Sequence, residues 1–147
     1  MKTISNDIFF SHVESELKQG RSVRLKVKGN SMFPFLRNGR DEVTVSPYTS
    51  IPEKMDIVLF RFRGKHVLHR IIGIEDSVYI IQGDGIYTSK EQCRVKDITG
   101  YVSAIHKSGK GLISTSSPLF KLMGRLWYCL RFCRRFLIFA IRLVYKY

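Results

Sequence analysis

Apolar positions recur first at helical and then at strand spacing along this chain. Ile8, Phe9, Val13 and Leu17 share one helical side, and Gly20 follows as a natural stop, which predicts a short amphipathic helix over residues 5–19. Strand alternation then takes over. Residues 21–28 (RSVRLKVK) place Val23, Leu25 and Val27 on one face, residues 41–45 (DEVTV) alternate again, and residues 56–62 (DIVLFRF) make a third run. Residues 65–74 (KHVLHRIIGI) and 77–81 (SVYII) are separated by Glu75-Asp76, a hairpin turn in composition, and residues 95–106 (VKDITGYVSAIH) supply the last one or two strands. Short strands punctuated by Gly, Pro, Asn and Asp predict a compact, mostly antiparallel β domain over residues 21–107. Residues 108–117 (SGKGLISTSS) are small and polar and read as a linker.

Beyond Pro118 the period returns to helical. Leu119, Met123, Leu126, Leu130, Cys133, Leu137, Ala140 and Val144 follow alternating steps of four and three, with Arg131, Arg135, Arg142 and Lys146 roughly opposite. The pattern predicts one basic amphipathic helix of about 25 residues. Spanning a bilayer is disfavoured. Four arginines within residues 126–145 cost about 2.5–3.5 kcal/mol each, whereas ten Leu, Ile, Val and Phe return only about 0.3–0.6 kcal/mol each. Lying in the interface, with Arg131, Arg134, Arg135 and Arg142 at the headgroups, fits better; packing on a partner or on its own domain is the other reading.

Charge sharpens this picture. The formal net charge is +13, yet residues 118–147 alone hold seven basic residues and no acid. The remaining 117 residues carry eighteen Lys and Arg against twelve Asp and Glu, or +6. A tail so biased calls for an anionic surface, lipid or nucleic acid. At 147 residues and 44% hydrophobic content the chain can bury a core. Cys93, Cys129 and Cys133 form no disulfide framework and join no histidine in a metal pattern, so neither a metal nor another cofactor is expected. The N-terminus has acids at positions 7, 14 and 16 and no apolar run of signal-peptide length, and no segment reaches spanning length.

Three segments could do chemistry. Gly29-Asn30 permits a tight turn that would expose Ser31, its own N–H aligned with its hydroxyl as an oxyanion site beside a nucleophile requires. An ordinary turn serine has the same local sequence. His69 alternates with Val67 and Ile71 on one strand face, away from Leu68, Arg70 and Ile72; desolvation there favours the neutral base. A half-buried structural histidine would also sit there. Asp84, in Gln82-Gly83-Asp84-Gly85, could orient the imidazole as the third member of a triad, although Gly-Asp-Gly is also a common turn.

Taken together and in this order, the segments resemble the S24/S26 superfamily of serine peptidases, which contains the signal peptidases and the self-cleaving LexA-like repressors. The nucleophile block G-x-S-M-x-P-x-(L/F)-x-x-G-D is matched from Gly29 through Ser31, Met32, Pro34 and Leu36 to Gly39 and Asp41, with Arg40 as an extra residue. The block P-x-x-G-D-I-V-x-F is matched from Pro52 to Phe60, with Met55 where glycine is usual. Leu68-His69-Arg70-Ile71 and Gln82-Gly83-Asp84-Gly85 complete the set, so the resemblance covers residues 23–105. Histidine before the arginine is similar to the eukaryotic-reticulum, archaeal and some Gram-positive signal peptidases, where other members use lysine.

The resemblance implies the signal peptidase/LexA-like catalytic fold and a Ser31–His69 dyad supported by Asp84. A further acid usual in that branch has Lys90 at its position, with Glu91 beside it. Gly29 replaces a serine that helps hold the oxyanion in some members, which leaves backbone N–H groups with Asn30 as helper. An extended peptide would lie along a strand edge, with Arg24–Lys28 or Leu59, Phe60 and Arg61 as candidate edges. The expected function is a serine endopeptidase that removes a leader or signal segment from a precursor protein. It would work peripherally on the cytoplasmic membrane face, without nucleic acid. A repressor reading fails because twenty residues cannot hold a DNA-binding head, and Ala104 and Ala140 are the only alanines, so no Ala-Gly bond precedes Ser31. The alternative is a non-catalytic β-module that binds anionic membrane or nucleic acid through the tail.

Overall fold

In a computed structural model the protein is described over residues 6–86, 88–130 and 133–145, with the side chains of residues 6, 7 and 134 left out. The chain runs α1 (Asn6–Lys18), β1 (Val23–Lys26), β2 (Glu42–Ser46), β3 (Ile57–Phe62), β4 (Lys65–Glu75), β5 (Val78–Gln82), β6 (Glu91–Arg94), a short 3-10 helix (Val95–Asp97), β7 (Ile98–Lys107), β8 (Gly111–Ser114), α2 (Pro118–Cys129) and α3 (Arg134–Tyr145). It is mostly β. The eight strands form one antiparallel sheet in the order β1-β2-β7-β3-β4-β5-β6, with β8 on β7.

Alternation decides which side chains are buried. β3 is buried on both faces, Ile57 and Leu59 in a core shared with Val13 and Leu17 of α1, Val58 and Phe60 in a second with Ile71, Tyr79, Ile81 and Cys93. Two-residue turns close β3–β4 and β4–β5. Arg63-Gly64 (φ 51° and 75°) and Asp76-Ser77 (φ 46° and 66°) put both central residues in the left-handed region that a tight hairpin demands. α1 ends at Lys18, and Gly20, at φ 81°, turns the chain away from it. Its Glu14 carboxylate accepts from Arg61 and faces His66, whose ring stacks on Phe10 at 4.5 Å. These partners, Arg61 above all, hold the Glu14 carboxyl below its usual range, against the opposing effect of burial.

Several elements depart from the sequence-based expectation: Glu91–Arg94 is a strand where none was expected, and Val95–Asp97, read as the start of the last strand run, is a 3-10 helix. Residues 108–117 are no free linker: β8 pairs with β7 from Ala104↔Ser114 to Lys107↔Gly111, and Thr115 donates to the carbonyls of Ser103 and Val102. All four β8 residues are exposed, so backbone pairing alone makes this strand. The tail is two helices of 12 residues each, α2 and α3, where one was expected. On a straight helix Trp127 and Ile138 would stand about 16 Å apart. The break lets both cluster with buried Phe33. The domain therefore holds Phe120, Gly124, Trp127 and Ile138, while Leu119, Met123, Leu126, Leu130 and Val144 of the expected apolar stripe point outward and Leu137 alone of its large side chains packs on the domain.

Candidate active site

The loop after β1 carries Ser31. Val27 exchanges backbone bonds with the returning chain at Gly39 and Asp41, and Gly29 turns in the left-handed region at φ 82°. Asn38 Oδ1 accepts the Gly29 N–H at 2.8 Å, and the Asn30 carbonyl accepts from Phe33. Among the described residues the Ser31 N–H donates to nothing, so the hydroxyl and a free backbone donor belong to one residue. Gly29 spends its own N–H on the turn and is no oxyanion donor. Asn30 is exposed beside the serine. At the far end of the loop, buried Asp41 receives Lys107 Nζ at 2.9 Å and the Arg37 N–H at 2.8 Å. Burial would raise that carboxyl, and these donors outweigh it and hold it low.

The turn after β5 is stitched to this loop. Gly85 N–H donates to the Ser31 carbonyl at 2.9 Å, and the Asp84 N–H reaches Met32 Sδ at 3.4 Å. No side chain fits between them. A Cβ on Gly83 would lie 2.3 Å from the Ser31 carbonyl oxygen and 3.1 Å from both Cδ2 and Nε2 of His69. A Cβ on Gly85 would lie 2.5 Å from the Asn30 carbonyl oxygen. Ser31 and His69, 38 positions apart, therefore meet across one glycine, and the edge that His69 turns to that meeting point carries Nε2. Among the described residues no hydrogen bond joins the Ser31 hydroxyl to the imidazole.

His69 lies on β4 opposite Val58, with Phe60 at a ring distance of 6.1 Å. It is only 4% exposed, and burial lowers its pKa, against the opposing pull of Glu91 and, more weakly, Asp84. Nδ1 stands 3.4 Å from Glu91 Oε2 on β6, and neither buried atom has a hydrogen-bond partner. A proton on Nδ1 facing that carboxylate leaves Nε2 as the acceptor on the Ser31 side. A pair of buried polar atoms with no other partner is the kind of arrangement that functional sites retain.

Asp84 does not take the place expected of it. Both its carboxylate oxygens are bound by Arg70, at 2.9 Å from Nε and 2.8 Å from Nη2. Arg70 is 1% exposed and donates a third bond to the Met55 carbonyl. Its guanidinium packs against the rings of both Phe35 and Phe120, 5.0 and 5.6 Å from their centroids. Gly124 of α2 lies against it; a Cβ there would be 2.6 Å from Nη1. Trp127 Nε1 donates to the Asp84 carbonyl at 2.8 Å. Neighbours on a strand face opposite ways, so His69 and Arg70 take different acids. Asp84 braces the frame behind the histidine, and Glu91 faces the imidazole. The sequence did hold a signal for this, since a buried arginine must itself be paired.

Leu59, Phe60 and Arg61 are no substrate edge. Their strand is flanked by β4 and β7, Leu59 and Phe60 are buried, and Arg61 holds Glu14. Open edges lie elsewhere. Among the described residues β1 pairs with β2 alone, which leaves the other side of Arg24–Lys28 without a partner strand, and β5 joins β4 from Arg70 onward, so residues 65–69 likewise have no partner strand on that side. Met55, where glycine is usual in the block it resembles, has φ 79°, the conformation that favours glycine. Of the arginines expected at headgroups, Arg135 is exposed and Arg142 lies 6.0 Å over the Phe33 ring. Arg131 falls outside the described residues, as does the side chain of Arg134. Comparison with protein-family models finds no match, and comparison with curated proteins finds no similar one.

Proposed function

We propose that this chain is a serine endopeptidase of the signal-peptidase type, acting through Ser31 and His69, with Glu91 and not Asp84 as the acid that orients the base. One observation carries the reading: the Ser31 loop and the Nε2 edge of a buried imidazole pack against the same glycine, Gly83, while Nδ1 faces a buried carboxylate. A turn serine and a structural histidine have no need of that arrangement.

The chemistry is acyl transfer. Ser31 Oγ attacks the scissile carbonyl as His69 Nε2 takes its proton, and the Ser31 N–H faces the developing oxyanion. The imidazolium, stabilised across Nδ1 by Glu91, gives that proton to the leaving amine as the carbon–nitrogen bond breaks. Water then attacks the acyl-enzyme, with His69 again taking a proton and returning it to Ser31. Substrate binding closes the remaining distance between hydroxyl and imidazole. An extended segment of a precursor protein, its leader or signal peptide, fits the open backbone of β1 and of residues 65–69, each next to a reacting residue.

The test is active-site trapping. A fluorophosphonate should add one adduct, which peptide mass spectrometry places on Ser31, and Ser31→Ala should abolish it without changing the melting temperature. A folded protein that stays unlabelled at Ser31 over long exposure would overturn the assignment in favour of a non-catalytic β-module.

A further inference from the structure

Independently of any peptidase activity, α2 and α3 leave a large apolar side uncovered. The domain side of α2 holds Phe120, Gly124 and Trp127, and that of α3 holds Ile138 with Leu137 and Ile141. Outward, Leu119, Leu122, Met123, Leu126 and Leu130 of the first helical segment are 47–65% exposed. On α3, Phe136, Phe139, Leu143 and Val144 are 65–79% exposed. At roughly 150–200 Å² per large apolar side chain, these nine offer on the order of 900 Å². The largest apolar patch on a typical monomer is about 300–600 Å².

Charge identifies the occupant. Lys121, Arg125 and Arg135 are exposed on the same two helices, and residues 118–147 contain no acid at all. An apolar protein partner would not require that bias, whereas an anionic lipid surface attracts it. No helix among the described residues is long and apolar enough to cross a membrane. Twelve residues make about 18 Å of helix against a hydrocarbon core of about 30 Å. Such helices lie in the interface plane.

We infer that α2 and α3 form a paired interfacial anchor for an anionic bilayer, inserting Leu119, Leu122, Met123 and Leu126 together with Phe136, Phe139 and Leu143. The inserting stripe is a different side of the helices from the one that packs on the domain, so docking exposes none of the core. It has a geometric consequence. α2 lies against the Arg70 guanidinium and donates from Trp127 to the Asp84 carbonyl. The element that meets lipid therefore also braces the turn between Ser31 and His69, which sets the candidate site at a fixed height above the headgroups.

The full chain would be sedimented with phosphatidylcholine vesicles containing roughly one third phosphatidylglycerol, and with phosphatidylcholine alone. Binding is expected on the mixed vesicles, at least tenfold weaker on the neutral ones, and reduced as salt rises to about 0.5 M. Arg135→Gln should weaken it about fivefold, and Phe139→Glu or Leu126→Glu more than tenfold, with unchanged circular dichroism and melting because both side chains face out. Ser31→Ala should bind as the parent does, so this proposal and the peptidase assignment fail separately. Equal binding to both vesicle types, or acidic variants that bind like the parent, would overturn it. So would a lipid-free dimer that Phe139→Glu dissociates, since a second copy would then be the occupant.

Discussion

Gly83→Ala is the sharpest probe of the arrangement. Its new Cβ would stand 2.3 Å from the Ser31 carbonyl oxygen, where real contacts stay above 3.0 Å, so the two segments must part by at least the difference, about 0.7 Å. The obstructing atom is backbone and cannot rotate away. The same oxygen accepts the Gly85 N–H at 2.9 Å. Losing that bond costs about 1 kcal/mol, and overpacking a tight site costs about 1–3 kcal/mol. At about 2–4 °C per kcal/mol for a chain of this size, Tm should fall by roughly 5–15 °C. A displacement on the order of 1 Å between reacting groups costs about 10²-fold in rate. Fluorophosphonate acylation of Ser31, followed by intact mass below the melting range, reads the second effect. Gly73→Ala is the control, because its Cβ meets Ile80 at a comfortable 3.7 Å. Labelling and melting that match the parent in Gly83→Ala would refute the convergence, and the peptidase proposal with it.

The acid assignments can be separated by experiment. Burial holds the His69 pKa below its ordinary value near 6.5, so the acylation rate should stay flat as pH falls to about 6.5 and drop only below it. Glu91→Gln removes a carboxylate that favours the imidazolium, so the acid limb should move to lower pH and the plateau should fall by about 10²-fold or more, with Tm nearly kept. The sign for stability follows from the same depression. The unfolded chain takes up the His69 proton first, so stability should decline as pH falls below about 6.5, and His69→Asn should flatten that slope in thermal melts. Asp84→Asn should instead act on the fold: it strands a buried guanidinium at a cost of about 3–5 kcal/mol, seen as a large Tm drop, with Arg70→Met alongside restoring part of it. Loss of acylation at unchanged Tm in Asp84→Asn would return the orienting role to that residue.

Much of this could be read along the chain because local patterns carry local information. Alternation at Val23, Leu25 and Val27, and again through residues 41–45 and 56–62, gives strands because a pleated backbone shows its faces with period two. Gly20 and the turn at Asp76 mark their own ends. β6 escaped because Glu91–Arg94 offers one buried apolar residue, Cys93, and β8 because no side chain of Gly111–Ser114 is buried. Those strands exist through the backbone of a neighbour.

In the tail, the period showed that apolar residues line up and left open which line faces the protein. The buried side of α2 includes Gly124, chosen because Arg70 leaves no room for more, and hydrophobic periodicity gives a glycine no weight. The chain alone was enough for the first helix, most of the strands and the positions of Ser31, His69 and the glycine turn, because each is marked by its own neighbours. Which carboxylate faces which basic side chain was settled by the folded chain, because it depends on the direction in which adjacent residues leave a strand and on which distant carboxylate waits there: Glu91 for His69, Asp84 for Arg70.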